Sequence, residues 1–232
     1  MGYLVLALVA GLAAVERKGF LQAMLSRPIA LAPLVGWALG DLDGGLLVAA
    51  PLELFWLGAV NLGAALPVHE ALGTASIVGG AVLAGRALGG GASPEVAVLA
   101  VLVCAPVALL GRKAERLVEL WNEHLAARAE AELACHHPRA VARANLYGLL
   151  LPFGIAAVLA PAGAAAAELA IPALLRAVPQ AHGALRVGFY AFAAFSCASG
   201  AKALRARSAP ILFFAALAAG IVVLLALGGL PA

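Results

Sequence analysis

Two polar residues stand out in a long apolar stretch of the sequence, LVAAPLELFWLGAVNLGAALP, which runs from Leu47 to Pro67. Glu53 lies between two leucines, and Asn61 follows eight residues later. A charged side chain at bilayer depth costs roughly 2.5–3.5 kcal/mol on insertion scales, so it occurs mainly where it faces a cavity or lines a substrate path. On a continuous helix, an eight-residue step turns about 80° and rises about 12 Å, which keeps both groups on one side.

The chemistry of this pair fits a polar ligand. Carboxylate and amide groups make two-pronged hydrogen bonds to neighbouring hydroxyls, and a ring such as that of Trp56 can lie against the apolar face of a sugar. Pro51 lacks the N–H that a helix uses, so it would free backbone groups near the acid. Two other interpretations stay open: Glu53 carries a proton in a coupled transporter, or it ties helices together as a paired or protonated acid. For Asn61, the alternative is an interhelical hydrogen bond.

The composition indicates that these residues belong to a membrane protein. Of the 232 residues, 64% are hydrophobic and 12% are charged, and the mean hydropathy is +1.02. A soluble domain has about 45–50% apolar and about 25% charged residues, and it lacks the interior to bury this much apolar surface. The N-terminal apolar run has no basic segment before it, which favours a retained membrane helix over a cleaved signal. We therefore predict an all-α polytopic membrane protein.

A cluster of charges divides the chain into two hydrophobic halves. Residues 112–145 hold six Arg or Lys and five Glu, whereas the halves 1–111 and 146–232 are mostly apolar. Because cations of short loops stay on the cytoplasmic side, the cluster predicts a charged, helical cytoplasmic connector between two membrane halves. A second basic cluster at 202–207 predicts another cytoplasmic position.

Many of the apolar runs are short or are interrupted by Gly and Pro. A spanning helix needs about twenty residues, so we expect discontinuous or re-entrant helices wherever protein or a water-filled cavity covers the freed backbone. With both basic clusters inside, an even number of crossings must connect them. We predict that 146–163 and 187–201 are these crossings and that 164–176 is re-entrant or lies along the interface.

Other kinds of site find little support in the sequence. The three cysteines are scattered and form no CxxC pair, and the adjacent His136 and His137 have no partner pair for a metal. The glycine-rich GGGAS at 89–93 lacks the Lys and Ser/Thr of a phosphate-binding loop. The net charge of +3 follows from the basic loops and needs no nucleic acid. We predict no metal, no cofactor and no catalytic residue.

The stretch from Val15 to Ser76 resembles the N-terminal half of the IIC subunit of the mannose–fructose–sorbose family of the bacterial phosphotransferase system. Its elements occur in order: Ser26-Arg27-Pro28, Leu39-Gly40-Asp41, the Gly45 run into Leu52-Glu53-Leu54, Trp56-Leu57-Gly58, Gly63-Ala64 and Pro67. The C-terminal half resembles the family more weakly, around AVPQAHGALRVGFYAFAAF. There, Ser196 and Ser199 stand where we would expect an amide, which leaves the identity of the sugar open.

The resemblance implies a function. IIC and IID subunits form a sugar-conducting complex in the bacterial inner membrane, as a trimer of IIC–IID pairs. Separate IIA and IIB proteins bring the phosphate, and the sugar is phosphorylated as it enters the cytoplasm, so the IIC subunit itself carries no phosphorylated residue. By the same resemblance, Glu53 and Asn61 occupy positions that face the sugar, and Gln22, Asp41 and Glu70 lie in the matched region too.

Three interpretations of the whole chain follow. The first is a sugar-translocating IIC subunit for a hexose-like sugar. The second is a proton-coupled secondary transporter in which Glu53 carries the proton, and the third is a non-transporting membrane sensor or scaffold derived from the family. In each, we interpret Arg27, which precedes Pro28, as an anchor for the beginning of a membrane helix at the interface.

Overall fold

The computed structural model describes residues 1–19, 23–57 and 69–203, together with a few single positions between 208 and 218. Every regular element in the three ranges is helical: α1 Gly2–Lys18, α2 Pro28–Leu39, α3 Leu42–Trp56, α4 Glu70–Ala87, α5 Pro94–Ala134, α6 Ala140–Ala177, and α7 His182–Ala203 after a 3-10 turn at Pro179–Ala181. The prediction of an all-α fold is confirmed. Two predicted site residues, Gln22 and Asn61, lie outside the described residues.

α2 and α3 form a tight helical hairpin. Pro28 is the first residue of α2, where its missing N–H costs no hydrogen bond, and Gly40 ends α2 in the left-handed conformation with φ 79°. Asp41 then caps α3, because its Oδ1 accepts a backbone N–H of the first turn at 2.9 Å. The helices touch through glycine: a Cβ on Gly45 would lie 2.5 Å from the backbone oxygen of Ala32. The hairpin thus brings the beginning of α2 beside the end of α3.

The hairpin is shorter than a bilayer is thick. α2 has 12 residues and α3 has 15, which at 1.5 Å per residue makes them about 18 and about 23 Å long, against a hydrocarbon core of about 30 Å. α3 continues through Pro51 without interruption, although the carbonyl four residues earlier loses its usual donor. The lengths are consistent with the predicted re-entrant helices, but the proline does not break the helix.

Two helices of the described part are long and apolar enough to cross a membrane, α5 with 41 residues and α6 with 38. They run antiparallel, and the indole Nε1 of Trp121 donates to the backbone oxygen of Tyr147 at 3.4 Å. α5 passes residue 111 without a break, so most of the charged segment 112–145 is an extension of this helix. The division at residue 111 therefore follows charge rather than a change of element, and it stays a prediction.

The predicted break after residue 163 is wrong. α6 is one continuous helix that contains Pro152, Pro161 and Pro172, so residues 164–176 extend the predicted crossing 146–163 instead of turning back. Each internal proline removes one helical hydrogen bond, and contacts with α1, α4 and α5 hold the helix together despite this loss. The helix ends at Ala177, shortly before the next proline. The other predicted crossing, 187–201, lies within α7.

α4 is the central helix of the fold. Every residue from Ala71 to Gly85 is buried, and most of these side chains are small, which lets neighbouring helices approach closely. A Cβ on Gly79 would meet Leu6 of α1 at 2.5 Å, and one on Gly80 would meet Ala167 of α6 at 2.7 Å. The beginning of α4, where Glu70 lies, is consequently fixed by helices on several sides.

Candidate functional site

Three charged side chains meet at one end of the hairpin. Arg27 precedes α2, Glu53 lies in the last turn of α3, and Glu70 is the first residue of α4. The Nε of Arg27 donates to Glu53 Oε1 at 3.0 Å, and its Nη2 makes a second, shorter contact with the same oxygen. The Nη1 of Arg27 lies 3.7 Å from Glu70 Oε1. We call Arg27, Glu53 and Glu70 the charge cluster.

Glu53 also holds the beginning of α2. Its Oε2 accepts the backbone N–H of Ile29 at 3.2 Å, and this N–H belongs to the first turn of a helix, where donors have no partner within the helix. A negative charge at this position is favoured by the helix dipole. Glu53 therefore has the paired contacts expected of an acid that ties helices together, which is one of the interpretations left open by the sequence. Our interpretation of Arg27 as an interface anchor missed this pairing, because its guanidinium points toward the two acids.

Unpaired polar atoms lie beside the charge cluster. Trp56 Nε1, Glu70 Oε2 and Thr74 Oγ1 are buried and have no hydrogen-bond partner among the described residues. Thr74 follows Glu70 by one turn of α4, so both side chains lie on the same face. The indole of Trp56 approaches α4 at Gly73, where a Cβ would lie 3.6 Å from the ring atom Cζ2. Each such buried unpaired group costs about 1–3 kcal/mol, so a polar ligand that supplies partners here would be stabilised.

α7 packs against the end of α3. The ring centroid of Phe55 lies 5.7 Å from that of Phe192 and 6.3 Å from that of Phe195. Gly200 leaves room for Leu54, since a Cβ on this glycine would lie 2.9 Å from the leucine Cδ2. These contacts explain how Glu53 and Trp56 are held although they come at the very end of a helix.

Asp41 lies at the other end of α3. Besides capping that helix, its Oδ2 accepts the N–H of Ala92 at 2.8 Å, which ties the hairpin to the loop before α5. Twelve residues of helix separate Asp41 from Glu53, about 18 Å. The structure therefore brings together Glu53, Glu70 and Trp56 of the predicted site residues, and it does not bring Asp41 to them.

Sequence reasoning missed a second group of buried charges. Glu16 accepts the N–H of Ser26 at 2.9 Å, and the almost fully buried Glu115 contacts Arg17, Lys18 and His69. One signal could have revealed Glu115. It lies on the inward face of α5, at helical spacing with other buried positions: Gly111, Ala114, Val118, Leu125 and Ala129.

Comparisons with known proteins find a matching family and a bacterial relative. The family described as "PTS system sorbose-specific iic component" matches residues 1–200. The chain is also 45% identical over 74 residues to the putative N-acetylgalactosamine permease IIC component 2 of Escherichia coli (strain K12). This alignment covers 32% of the chain and 51% of that protein, so the chain spans about half the length of this relative.

Two solved structures share the fold. One, described as a membrane protein, has a TM-score of 0.68 at 20% identity, with 98% of this chain and 91% of that chain covered. The other is the mannose transporter ManYZ in complex with microcin E492, with a TM-score of 0.61 at 20% identity and coverage of 94% and 86%. Likeness at this identity supports the fold alone, and it confirms the prediction of an all-helical membrane protein. The match over residues 1–200 identifies the family, as the sequence predicted: the chain belongs to the sorbose-specific IIC components of the phosphotransferase system.

Proposed function

We propose that this protein is the sugar-translocating IIC subunit of a mannose-type phosphotransferase permease. The observation that carries the proposal is the charge cluster, with polar atoms of Trp56, Glu70 and Thr74 beside it that have no hydrogen-bond partner in the described part of the chain. A sugar hydroxyl donates to a carboxylate and accepts from an indole or guanidinium N–H. The cluster has one cation for two carboxylates, so acceptors for hydroxyl donors are in excess. The ring of Trp56 supplies an apolar surface for the sugar ring.

The sugar is a hexose or a close derivative. The similar proteins are named for N-acetylgalactosamine and for mannose, which makes these two sugars the first to test. Asn61 and Gln22, which lie outside the described residues, remain predicted contacts of the sugar. Glu53 has both oxygens engaged by Arg27 and by a backbone N–H. It is therefore not the isolated acid that the proton-carrier alternative requires, and sugar translocation is better supported.

Other subunits complete the permease. A IID subunit forms the membrane complex, as a trimer of IIC–IID pairs, and IIA and IIB proteins supply the phosphate. Exposed leucines on α1 recur every four residues, at Leu4, Leu8 and Leu12, and such a stripe needs lipid or a partner helix to cover it. The protein would lie in the bacterial inner membrane and cross it several times. We infer that the charged extension of α5 faces the cytoplasm, because it carries many cations.

The orientation is testable with a single thiol. Ala127 lies exposed on the charged extension of α5. With Cys104, Cys135 and Cys197 replaced, Ala127→Cys is expected to be shielded from a membrane-impermeant thiol reagent in intact cells and to react once the cells are opened. Opened cells serve as the control for reactivity. Rapid labelling in intact cells would reverse the orientation.

Uptake with defined partners tests the function itself. Cells that lack mannose-type permeases would express the chain with a IID subunit and with IIA and IIB, and they would receive radiolabelled N-acetylgalactosamine, mannose or another hexose. We expect phosphorylated sugar to accumulate for at least one hexose, and we expect no accumulation when IIB is omitted. Absence of accumulation for every hexose, with all partners present in the membrane fraction or cytosol, would overturn the proposal.

A further inference from the structure

A network of four side chains with a buried pair at its centre lies next to the beginning of α4. It consists of the partly exposed Arg17 and Lys18 at the end of α1 and of the buried His69, just before α4, and Glu115, on α5, and we call it the His69 network. Glu115 and His69 have only 3% and 7% of their side chains exposed. Arg17 contacts Glu115 Oε1, and the Nζ of Lys18 lies 2.5 Å from Oε2. The ion pairs of Glu115 thus join α1 to α5, and His69 adds a polar contact from the beginning of α4.

His69 uses both ring nitrogens in this network. Its Nδ1 accepts the backbone N–H of Leu72 at 3.1 Å, which makes it the N-cap of α4. A nitrogen that accepts carries no proton, so the proton of the neutral ring is on Nε2. Nε2 lies 3.5 Å from Glu115 Oε1.

The surroundings keep His69 in this neutral form. Burial lowers the pKa of His69 to about 4, and the nearby Arg17 acts in the same direction, against the opposing effect of Glu115. At neutral pH the ring is therefore uncharged and able to cap. A protonated ring would donate from both nitrogens and lose its bond with Leu72.

The backbone of His69 packs closely against α5. Its N–H donates to the backbone oxygen of Ala108 at 3.4 Å. Gly111 makes this approach possible, because a Cβ there would lie 2.5 Å from the Cβ of His69. The next residue, Glu70, faces Arg27 across the charge cluster. A shift at His69 would therefore displace a member of the candidate site.

We propose that His69 is a positioning residue of the sugar site: it fixes the beginning of α4 through its cap and through Glu115, and so places Glu70 against Arg27. The inference rests on the proposed function, because it assigns His69 a role in sugar affinity. His69 does not touch the sugar. Its effect passes through the first turn of α4.

Two substitutions separate positioning from simple packing. His69→Ala removes the cap and the contact with Glu115, whereas His69→Asn keeps a capping acceptor. In the purified membrane complex, we expect His69→Ala to speed hydrogen–deuterium exchange at the Leu72 amide. In cells, we expect it to raise the half-saturating sugar concentration about fivefold, the ratio that corresponds to a lost cap of about 1 kcal/mol. His69→Asn should return both values to within about twofold of the native ones.

Ser93→Ala is the matched control. Ser93 caps α5 by accepting the N–H of Val96 at 3.4 Å, at a helix end that does not carry the charge cluster. We expect this variant to leave the Leu72 amide and the half-saturating concentration unchanged. If His69→Ala leaves either value unchanged, if His69→Asn fails to restore them, or if Ser93→Ala raises the half-saturating concentration as much, the proposal is wrong.

The two readouts also separate this proposal from the proposed function. A native complex that accumulates no sugar contradicts the proposed function and, with it, the role of His69 in sugar affinity. The exchange rate at Leu72 is independent of transport. It decides whether His69 fixes the beginning of α4, and unchanged exchange in His69→Ala would overturn that part even in a complex that transports normally.

Discussion

Replacing Arg27 with leucine is expected to reduce sharply the yield and the thermal stability of the membrane complex. The change leaves Glu53 and Glu70 beside each other without the cation that both contact. Removing one partner of a fully buried ion pair costs about 3–5 kcal/mol, and the 31% exposure of the Arg27 side chain lowers our expectation to about 2 kcal/mol. Fluorescence-detected size exclusion after a heating series measures both quantities.

A second substitution tests whether charge is the reason. Arg27→Leu combined with Glu53→Leu leaves one carboxylate instead of two, so we expect it to recover at least about 1 kcal/mol of the loss. We expect no sugar uptake by this double variant, because the proposed ligand Glu53 is replaced. Arg128→Leu, at an exposed position of α5, is the control for loss of a cation and should change stability by less than about 0.5 kcal/mol. Native yield and stability of Arg27→Leu would show that the charge cluster does not hold the hairpin.

Replacing Gly45 with alanine is expected to separate α2 from α3. The added Cβ would lie 2.5 Å from the backbone oxygen of Ala32 and 3.1 Å from the Cα atoms of Pro33 and Gly36. Backbone atoms of a helix cannot swing aside as a side chain can, so overpacking of about 1–3 kcal/mol is expected. Over most of this range, the overpacking cost is larger than the stability of about 0.8–1.0 kcal/mol that alanine gains over glycine as a helix former. Sugar binding should fall as well, because Arg27 and Glu53 meet only across this hairpin.

Gly154→Ala provides the matched comparison. Gly154 is exposed on α6, and a Cβ there would meet no atom within 4 Å. The same chemical change should therefore leave the midpoint of thermal unfolding unchanged or raise it, since alanine favours a helix. The two variants would be compared in the same complex and detergent. Equal midpoints for Gly45→Ala and Gly154→Ala would contradict the close packing of the hairpin.

The sequence could reveal Glu53 but could not reveal its partner. A carboxylate in an apolar run is conspicuous because the bilayer makes it costly. Its contact with Arg27 spans 26 residues and depends on where α2 ends, which Gly40 and Asp41 decide through their backbone conformation and capping. The pairing follows from the lengths of two helices, and such lengths are not predictable to within a turn from composition alone.

Local signals also misled where tertiary contacts outweigh them. The even number of crossings expected between the two basic clusters predicted a turn after residue 163, but contacts with three neighbouring helices support one continuous α6. Glu115 belongs to the segment that the charges predict to be a cytoplasmic connector, but its position on the helix turns it inward toward Arg17. Asp41 belongs to a family motif, and its carboxylate is used in capping α3 and binding the loop at Ala92. In these cases the residue type was informative, but the partner that each side chain contacts depends on how the helices pack.

Sugar binding by the Glu53→Gln complex tests the central claim most directly. Glutamine keeps the shape and one acceptor oxygen for Arg27, but it removes the charge and can no longer also accept the N–H of Ile29. Because Arg27 retains Glu70, the complex should still assemble, with a small loss of yield at most. Equilibrium titration of the purified native and variant complexes with the transported sugar should show binding weakened by about 1.5–3 kcal/mol, roughly ten- to 150-fold, as for a lost charge-assisted hydrogen bond. Native affinity in this variant, or a complex that falls apart before binding is lost, would contradict Glu53 as a ligand of the sugar.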